Sequence, residues 1–370
     1  MRAIILVGGE GTRLRPLTLR TPKQLVPVLN RPLLDHLLLH LKDHGVTSMT
    51  LAMTRRSAAV REAFGDGRHL GVEIEYAYEE TPLGSGGTIA SIAAGWDEPF
   101  LVCNGDIITD LDVSAFIEAH RARGAELSIS LHEVEDPSAF GVVVLDSESR
   151  VTRFVEKPKR EEAPSRLINA GAWLFEPSLL SEMDGTAFNR VEEALFPRLA
   201  ETGRRIFGFH RQGYWIDVGN PEAYRRANLD LLAGACSGRL PYRWPASGIA
   251  SDGAYIDAGA RVSAPVLLGV GTRVEATAMV EGPSVTGARC VIRAGAKVSS
   301  SVVWDDVNIE AGASVLESVV ASGVRIGAGA TVVGAVVGHG ATVLAGAIVP
   351  RGMRIEPDAI YGGESAAEQP

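Results

Sequence analysis

Residues 6–23 read LVGGEGTRLRPLTLRTPK, and this stretch decides how the first part of the chain is built. An apolar run ending at Val7 opens into Gly8 and Gly9, with a third glycine at Gly11. A buried strand that breaks into such a turn offers backbone N–H groups with no side chain in front of them. That arrangement suits a chain of phosphate oxygens. Arg13, and Lys23 just after Pro22, add the fixed positive charges that a triphosphate needs. Other glycine motifs fit less well. A P-loop closes on Gly-Lys-Ser/Thr, whereas this turn closes on Gly11-Thr12-Arg13, and the dinucleotide fingerprint needs a glycine where Leu14 stands. An ordinary ligand-free turn does not account for three glycines, Arg13, Pro16 and Pro22-Lys23 together.

Outward from this turn, short apolar β-rich runs alternate with amphipathic helical stretches as far as residue 233. Strands are predicted at 3–7, 49–53, 72–77, 100–103 and 127–131, and helices at 33–42, 57–64, 88–95 and 113–121. This rhythm indicates an α/β domain with a mostly parallel sheet, whose ligands collect at the carboxyl ends of the strands. Asn104-Gly105-Asp106 follows the strand at 100–103 there, as the glycine turn follows the first.

The 370 residues are enough for two domains, and the formal net charge of −9 offers no polybasic face for nucleic acid. Positive charge is local, with Arg2, Arg13, Arg15, Arg20, Lys23 and Arg31 all in the first thirty-one residues. The three cysteines, Cys103, Cys236 and Cys290, form no CxxC pair. With no charged leader and no membrane-length apolar run, they point to a cytoplasmic enzyme in a reducing compartment.

Residues 234–250 read as a connector, after which the composition changes. An apolar residue recurs every six positions at Ile256, Val262, Leu268, Val274 and Val280. The register slips and resumes at Ile292 and Val298, Ile309 and Val315, Ile326 and Val332, then Val343, Val349 and Ile355. Such a period marks a parallel β-helix, each hexad forming one flat side with its apolar residue inward, and predicts roughly five coils. The expected divisions are therefore 1–233, a linker at 234–250, a β-helix at 251–360 and a tail at 361–370. A stacking rod of this kind predicts a homo-oligomer, and its truncation is expected to alter assembly more than chemistry.

Five motifs follow one another: the glycine–arginine–lysine opening, Asn104-Gly105-Asp106, Glu156-Lys157-Pro158, Asn169-Ala170-Gly171 and Trp215-Ile216-Asp217-Val218-Gly219. With the hexapeptide region they make the chain resemble the sugar-1-phosphate nucleotidylyltransferases, most of all bacterial mannose-1-phosphate guanylyltransferases carrying a left-handed β-helix. The resemblance implies a Rossmann-like, GT-A-like catalytic domain. It implies in-line attack of a sugar-phosphate oxygen on the α-phosphorus of a nucleoside triphosphate, with pyrophosphate leaving. Two polyanions must meet, so catalysis is mostly positioning and charge neutralisation. Mg²⁺ suits this, and the resemblance makes Asp106 and Asp217 its carboxylates. The alternative for either is a capping or turn aspartate.

By the same resemblance Leu6, Gly8, Gly9, Gly11, Thr12, Glu79, Pro82, Gly84 and Gly105 line the nucleotide. Arg13 holds the β- and γ-phosphates, Lys23 reaches the α-phosphate, and Lys157 clamps the phosphate of the incoming sugar. Glu156, Asn169 and the backbone at Gly141 match positions that hold sugar hydroxyls, where a mispaired buried polar group rejects a wrong epimer. Relatives taking uridine or thymidine nucleotides often carry glutamine where this chain has Glu79. A carboxylate only accepts hydrogen bonds and so complements the two donors on the guanine edge, which favours GTP. The favoured acceptor is mannose-1-phosphate. A heptose-1-phosphate, a cyclitol phosphate, UTP or dTTP with glucose-1-phosphate, and a non-catalytic nucleotide-sugar-binding regulator are the alternatives. His36, His40 and His44 share a helical face beside the buried leucines and read as surface residues, not metal ligands. His339, the one histidine of the hexad region, reads as structural rather than as an acyltransfer base.

Overall fold

The computed structural model describes residues 1–54, 58–236 and 247–362. The expected connector and tail lie largely outside these residues, as does Ser57 at the predicted start of the second helix. Packing divides the chain into two compact units, Met1–Gly9 with Leu37–Trp215, and Glu10–His36 with Ile216–Pro370. The change of composition near residue 233 is therefore not where packing divides the chain, because Glu10–His36 groups with the hexads.

The first unit is built on nine strands: β1 (Arg2–Leu6), β2 (Ser48–Thr54), β3 (Glu73–Glu79), β4 (Phe100–Asn104), β5 (Leu127–Glu133), β6 (Gly141–Leu145), β7 (Val151–Glu156), β8 (Leu167–Phe175) and β9 (Ile206–His210). The sheet is mixed. It is parallel through β4-β1-β2-β3 and between β5 and β9, while β8 runs antiparallel to β4, β5 and β6. Ala3, Ile4 and Ile5 are fully buried, as a central parallel strand covered on both faces requires. Strand β8 was not expected as a strand. Its register brings Ala172 to Cys103 and Trp173 to both Val102 and Ile129. Trp173, Phe100, Phe175 and Phe196 are fully buried there, with Phe100 stacked on Phe175 at 5.6 Å and Trp173 edge-on to Phe196 at 5.3 Å. Each such side chain contributes about 1.5–3 kcal/mol by leaving water. Leu6 pairs with Ala52 on one side and Asn104 on the other, so the glycine turn and Asn104-Gly105-Asp106 leave the sheet side by side.

In the second unit, twenty short strands between Ile249 and Tyr361 form three all-parallel sheets of seven, seven and six strands, a left-handed β-helix. That is nearly seven coils, and the expected five is corrected. The expected count missed the places where the apolar period slips. There the coil is one residue shorter: Thr286 pairs with Val303, Val303 with Val320 and Val320 with Val337, before Val337 steps the full eighteen residues to Ile355. A left-handed residue turns each shortened corner, at Ser300, Glu317 and Gly334. The hexad residues from Val274 to Val349 are fully buried, whereas Ile256 and Val262 are half-buried at the first coil. In the same unit the helix Pro221–Leu232 is capped by the Asn220 side chain, which accepts from Ala223 N, and starts on Pro221.

Candidate active site

In the first unit the glycine turn is open. Gly9 has φ +111, which an L side chain rarely adopts, and a Cβ added at Gly8 or Gly9 would meet no described atom within 4 Å. Beside it Gly105 N donates to Leu6 O at 2.9 Å, and a Cβ at Gly105 would come 2.8 Å from Val7 Cγ1. Only glycine permits that approach, which sets the half-buried Asp106 beside the turn.

Glu79, at the end of β3, points both carboxylate oxygens into its own loop. Oε2 accepts from Leu83 N at 3.3 Å, and Oε1 accepts from the Thr88 hydroxyl. Pro82 is exposed on this loop. The helix predicted at 88–95 begins earlier, at Gly84, with φ +69 there and Gly86 N donating to Asn189 O at 3.0 Å. Ser85 Oγ donates to Glu192 Oε2 at 2.6 Å and accepts from Val191 N at 3.1 Å. Burial pushes the Glu192 carboxyl up. Neither Asn189 nor Glu192 was anticipated, because nothing in the sequence ties residues a hundred positions apart.

Pairing of β6, β7 and β8 gathers the residues expected to hold the sugar. Gly141 faces Glu156 across the β6–β7 ladder, and Val142 faces Ile168, next to Asn169. Glu156 Oε1 lies 3.1 Å from Lys157 Nζ. Its Oε2 is buried and accepts no hydrogen bond among the described residues; a Cβ at Gly141 would sit 2.8 Å from it. A buried carboxylate oxygen without a donor is costly, and a hydroxyl placed there relieves it. Lys157 has φ +45, rare for a side-chain-bearing residue. Asn169 Oδ1 accepts from Gly171 N at 3.0 Å and Trp173 Nε1 at 2.7 Å, which orients the amide.

In the second unit Gly11 (φ +59) precedes a short turn, Thr12–Leu14, and the Thr18 hydroxyl donates to Gly11 O at 2.7 Å. Lys23 is only 9% exposed, and its Nζ lies 3.6 Å from Asp217 Oδ1. Arg13, 67% exposed, brings Nη2 to 3.9 Å from Asp217 Oδ2. A Cβ at Gly219 would approach these oxygens and Arg13 Nη2 to 3.0–3.2 Å, so the glycine keeps the cluster clear. Two cations around one carboxylate leave a net positive charge, and at separations this long an anion can enter among them.

His36 and His40, on the first helix (Leu33–Asp43), and His44 just beyond its end are half-buried, which corrects their reading as surface residues. His36 Nε2 bonds Val28 O at 2.9 Å, His40 Nε2 bonds Leu111 O at 2.8 Å, and His44 Nδ1 bonds Ser114 Oγ at 2.9 Å. Among the described residues no group of three His, Cys, Asp or Glu side chains forms a metal cage, and no helix is long and apolar enough to cross a membrane.

Residues 2–234 match the family described as nucleotidyl transferase, and residues 252–359 match the GMPPB C-terminal domain. A mannose-1-phosphate guanylyltransferase of Mycobacterium tuberculosis is 34% identical over 83% of this chain and 81% of its own. A UTP–glucose-1-phosphate uridylyltransferase of Synechocystis is 31% identical over 82% of this chain and 83% of its own. Among solved structures, HddC from Yersinia pseudotuberculosis complexed with GMP-PN is 28% identical at a TM-score of 0.53, over 62% of this chain and 99% of its own. The chain belongs to the nucleotidyl transferase family and is a nucleotidyltransferase.

Proposed function

We propose that the protein joins GTP and mannose-1-phosphate to give GDP-mannose. An oxygen of the sugar phosphate forms a bond to the α-phosphorus, and the bond from that phosphorus to the pyrophosphate oxygen breaks. The Arg13–Lys23–Asp217 cluster carries the reading. Lys23 is nearly buried against a carboxylate 3.6 Å away, poised for a phosphate, while the exposed Arg13 can fold over the departing pyrophosphate. The turn is open beside Gly8 and Gly9, where no side chain stands between the backbone and a phosphate oxygen. Lys157 takes the phosphate of the sugar, and Glu156 Oε2, the Asn169 amide and the backbone of Gly141 take its hydroxyls. Asp106 and Asp217 are hard oxygen donors, the ligand type that suits Mg²⁺, which takes one or two carboxylates and completes its shell with phosphates and water. When bound, the ion supplies charge neutralisation at the reacting phosphates.

Mannose-1-phosphate is supported by guanylyltransferase relatives that align over most of the chain. GTP is supported by Glu79: each of its oxygens is used once within the loop, and a carboxylate has further lone pairs for the guanine edge. UTP with glucose-1-phosphate is the second reading, favoured by the uridylyltransferase relative. Cys103 and Cys290, buried thiols that form no disulfide among the described residues, support a cytoplasmic setting. Exposed Val270, Ile348 and Ile360 on the hexad domain support self-association there. Pyrophosphate release, measured with GTP, UTP and dTTP against mannose-, glucose- and heptose-1-phosphates, tests the assignment. GTP with mannose-1-phosphate is expected to give the highest kcat/KM; preference for UTP or dTTP would overturn the Glu79 argument.

A further inference from the structure

The segment that carries Arg13 and Lys23 belongs by packing to the unit of the β-helix, and it is tied there along its length. The turn Thr12–Leu14 uses its own N–H groups locally, with Leu14 N donating to Gly11 O and Arg15 N to Thr12 O. Arg354, exposed on the last coil, donates from Nη1 to Arg15 O at 3.1 Å and to Arg13 O at 3.5 Å. Asp358, four residues on, pairs with Arg20. His339 Nε2 lies 3.2 Å from Thr21 Oγ1, and its ring packs edge-on against Trp304 at 5.2 Å. Trp304 Nε1 donates to the Tyr224 hydroxyl at 2.9 Å, and that hydroxyl donates to Pro27 O. Asn30 Nδ2 donates to Thr286 O at 2.8 Å. These ties fall at residues 13, 15, 20, 21, 27 and 30, on both sides of Lys23.

We infer that the last coil of the β-helix is part of the triphosphate-binding apparatus, with Arg354 as the positioning residue for Arg13. The Arg13 side chain is long and exposed, so ordering it on a phosphate costs rotamer freedom; fixing its backbone removes the part of that cost due to the main chain. The two N–H groups of Arg354 Nη1 can serve two carbonyls of one turn. The expectation that losing the β-helix mainly alters assembly changes accordingly: the cut would release the carbonyls of Arg13 and Arg15. The inference rests on the reading of Arg13 as a phosphate ligand.

The test uses the full chain, with R354A, R354K, R13A and the R13A/R354A double variant, GTP and mannose-1-phosphate, steady-state kinetics and thermal melting. R354A is expected to raise KM for GTP about tenfold, to leave KM for mannose-1-phosphate within about twofold, and to melt as the parent does. R354K should recover part of the loss, because an ammonium can still donate to one of the two carbonyls. In the double variant the R354A substitution should add nothing to R13A. An unchanged KM for GTP in R354A, equal rises in both KM values, or full additivity with R13A would overturn the positioning role. A silent R13A would instead remove Arg13 from the phosphate site and end the inference with it. A parent protein that couples no pair of substrates would end the proposed function, a result read without any variant.

Discussion

A methyl group placed at Gly8 or Gly9 would touch no described atom within 4 Å, whereas at Gly327 it would land 2.5 Å from Ala345 N and at Gly338 2.8 Å from Ile355 O. The first pair leaves room beside the end of a parallel strand. The second pair lets one coil of a solenoid lie flat on the next. Gly8 and Gly9 thus leave space open at a strand end, whereas Gly327 and Gly338 remove space between pieces of protein. Within the second unit, ion pairs differ in burial. Lys23 is nearly buried on Asp217, while Arg289 with Asp306 and Arg351 with Glu317, on the β-helix, are exposed pairs that water screens.

Substitutions that respect or break this contrast should separate activity from stability. The largest effect is expected from Asp106→Asn and Asp217→Asn, which should each lower turnover by about two to three orders of magnitude in a pyrophosphate-release assay while circular dichroism stays unchanged. Near-parental rates in both would remove them from the metal site. Next, Gly327→Val should cost about 3 kcal/mol or more of stability, since the neighbour is backbone and cannot move aside. Gly8→Ala should cost under about 0.5 kcal/mol by thermal melting yet raise KM for the triphosphate. A Gly8→Ala protein with parental kinetics would show that the turn does not face the ligand. Val315→Ala, in the solenoid interior, should cost about 1–3 kcal/mol in denaturant titration.

The smallest effect concerns pH. Burial holds His36 down at about 4 against its usual 6.5. An unfolded chain therefore binds more protons on this residue between those values, so the stability due to neutral His36 is complete above pH 6.5 and is lost as pH falls toward 4. The melting temperature of His36→Gln should fall less steeply over that window than that of the parent. Parallel curves would exclude the contribution.

The sequence made the parallel half of the sheet legible because its strands are continuous apolar runs, and the hexads legible because one buried residue repeats along a rod. It hid β8, whose Asn169-Ala170-Gly171 motif drew attention to a turn and away from nine residues of antiparallel strand. The shortened coils were hidden for a similar reason: the interior apolar residue persists at Val303, Val320 and Val337, but one position earlier than a strict period allows. At the site, residue types and order marked Arg13, Lys23 and Asp217, and their loose ion pairs follow from folding. The internal bonds of Glu79, the Ser85–Glu192 contact and the tie from Arg354 to the Arg13 turn had no local signal. Their partners lie on other elements, the last of them more than three hundred positions away.

The most direct measurement is a crystal structure of the full chain with a non-hydrolysable GTP analogue and Mg²⁺. The account predicts the triphosphate against the amides of Gly8 to Gly11, with Arg13 on its outer phosphates, Lys23 on the inner one and Asp106 or Asp217 reaching the cation. A nucleotide bound away from Arg13 and Lys23, with the glycine turn still empty, would contradict it.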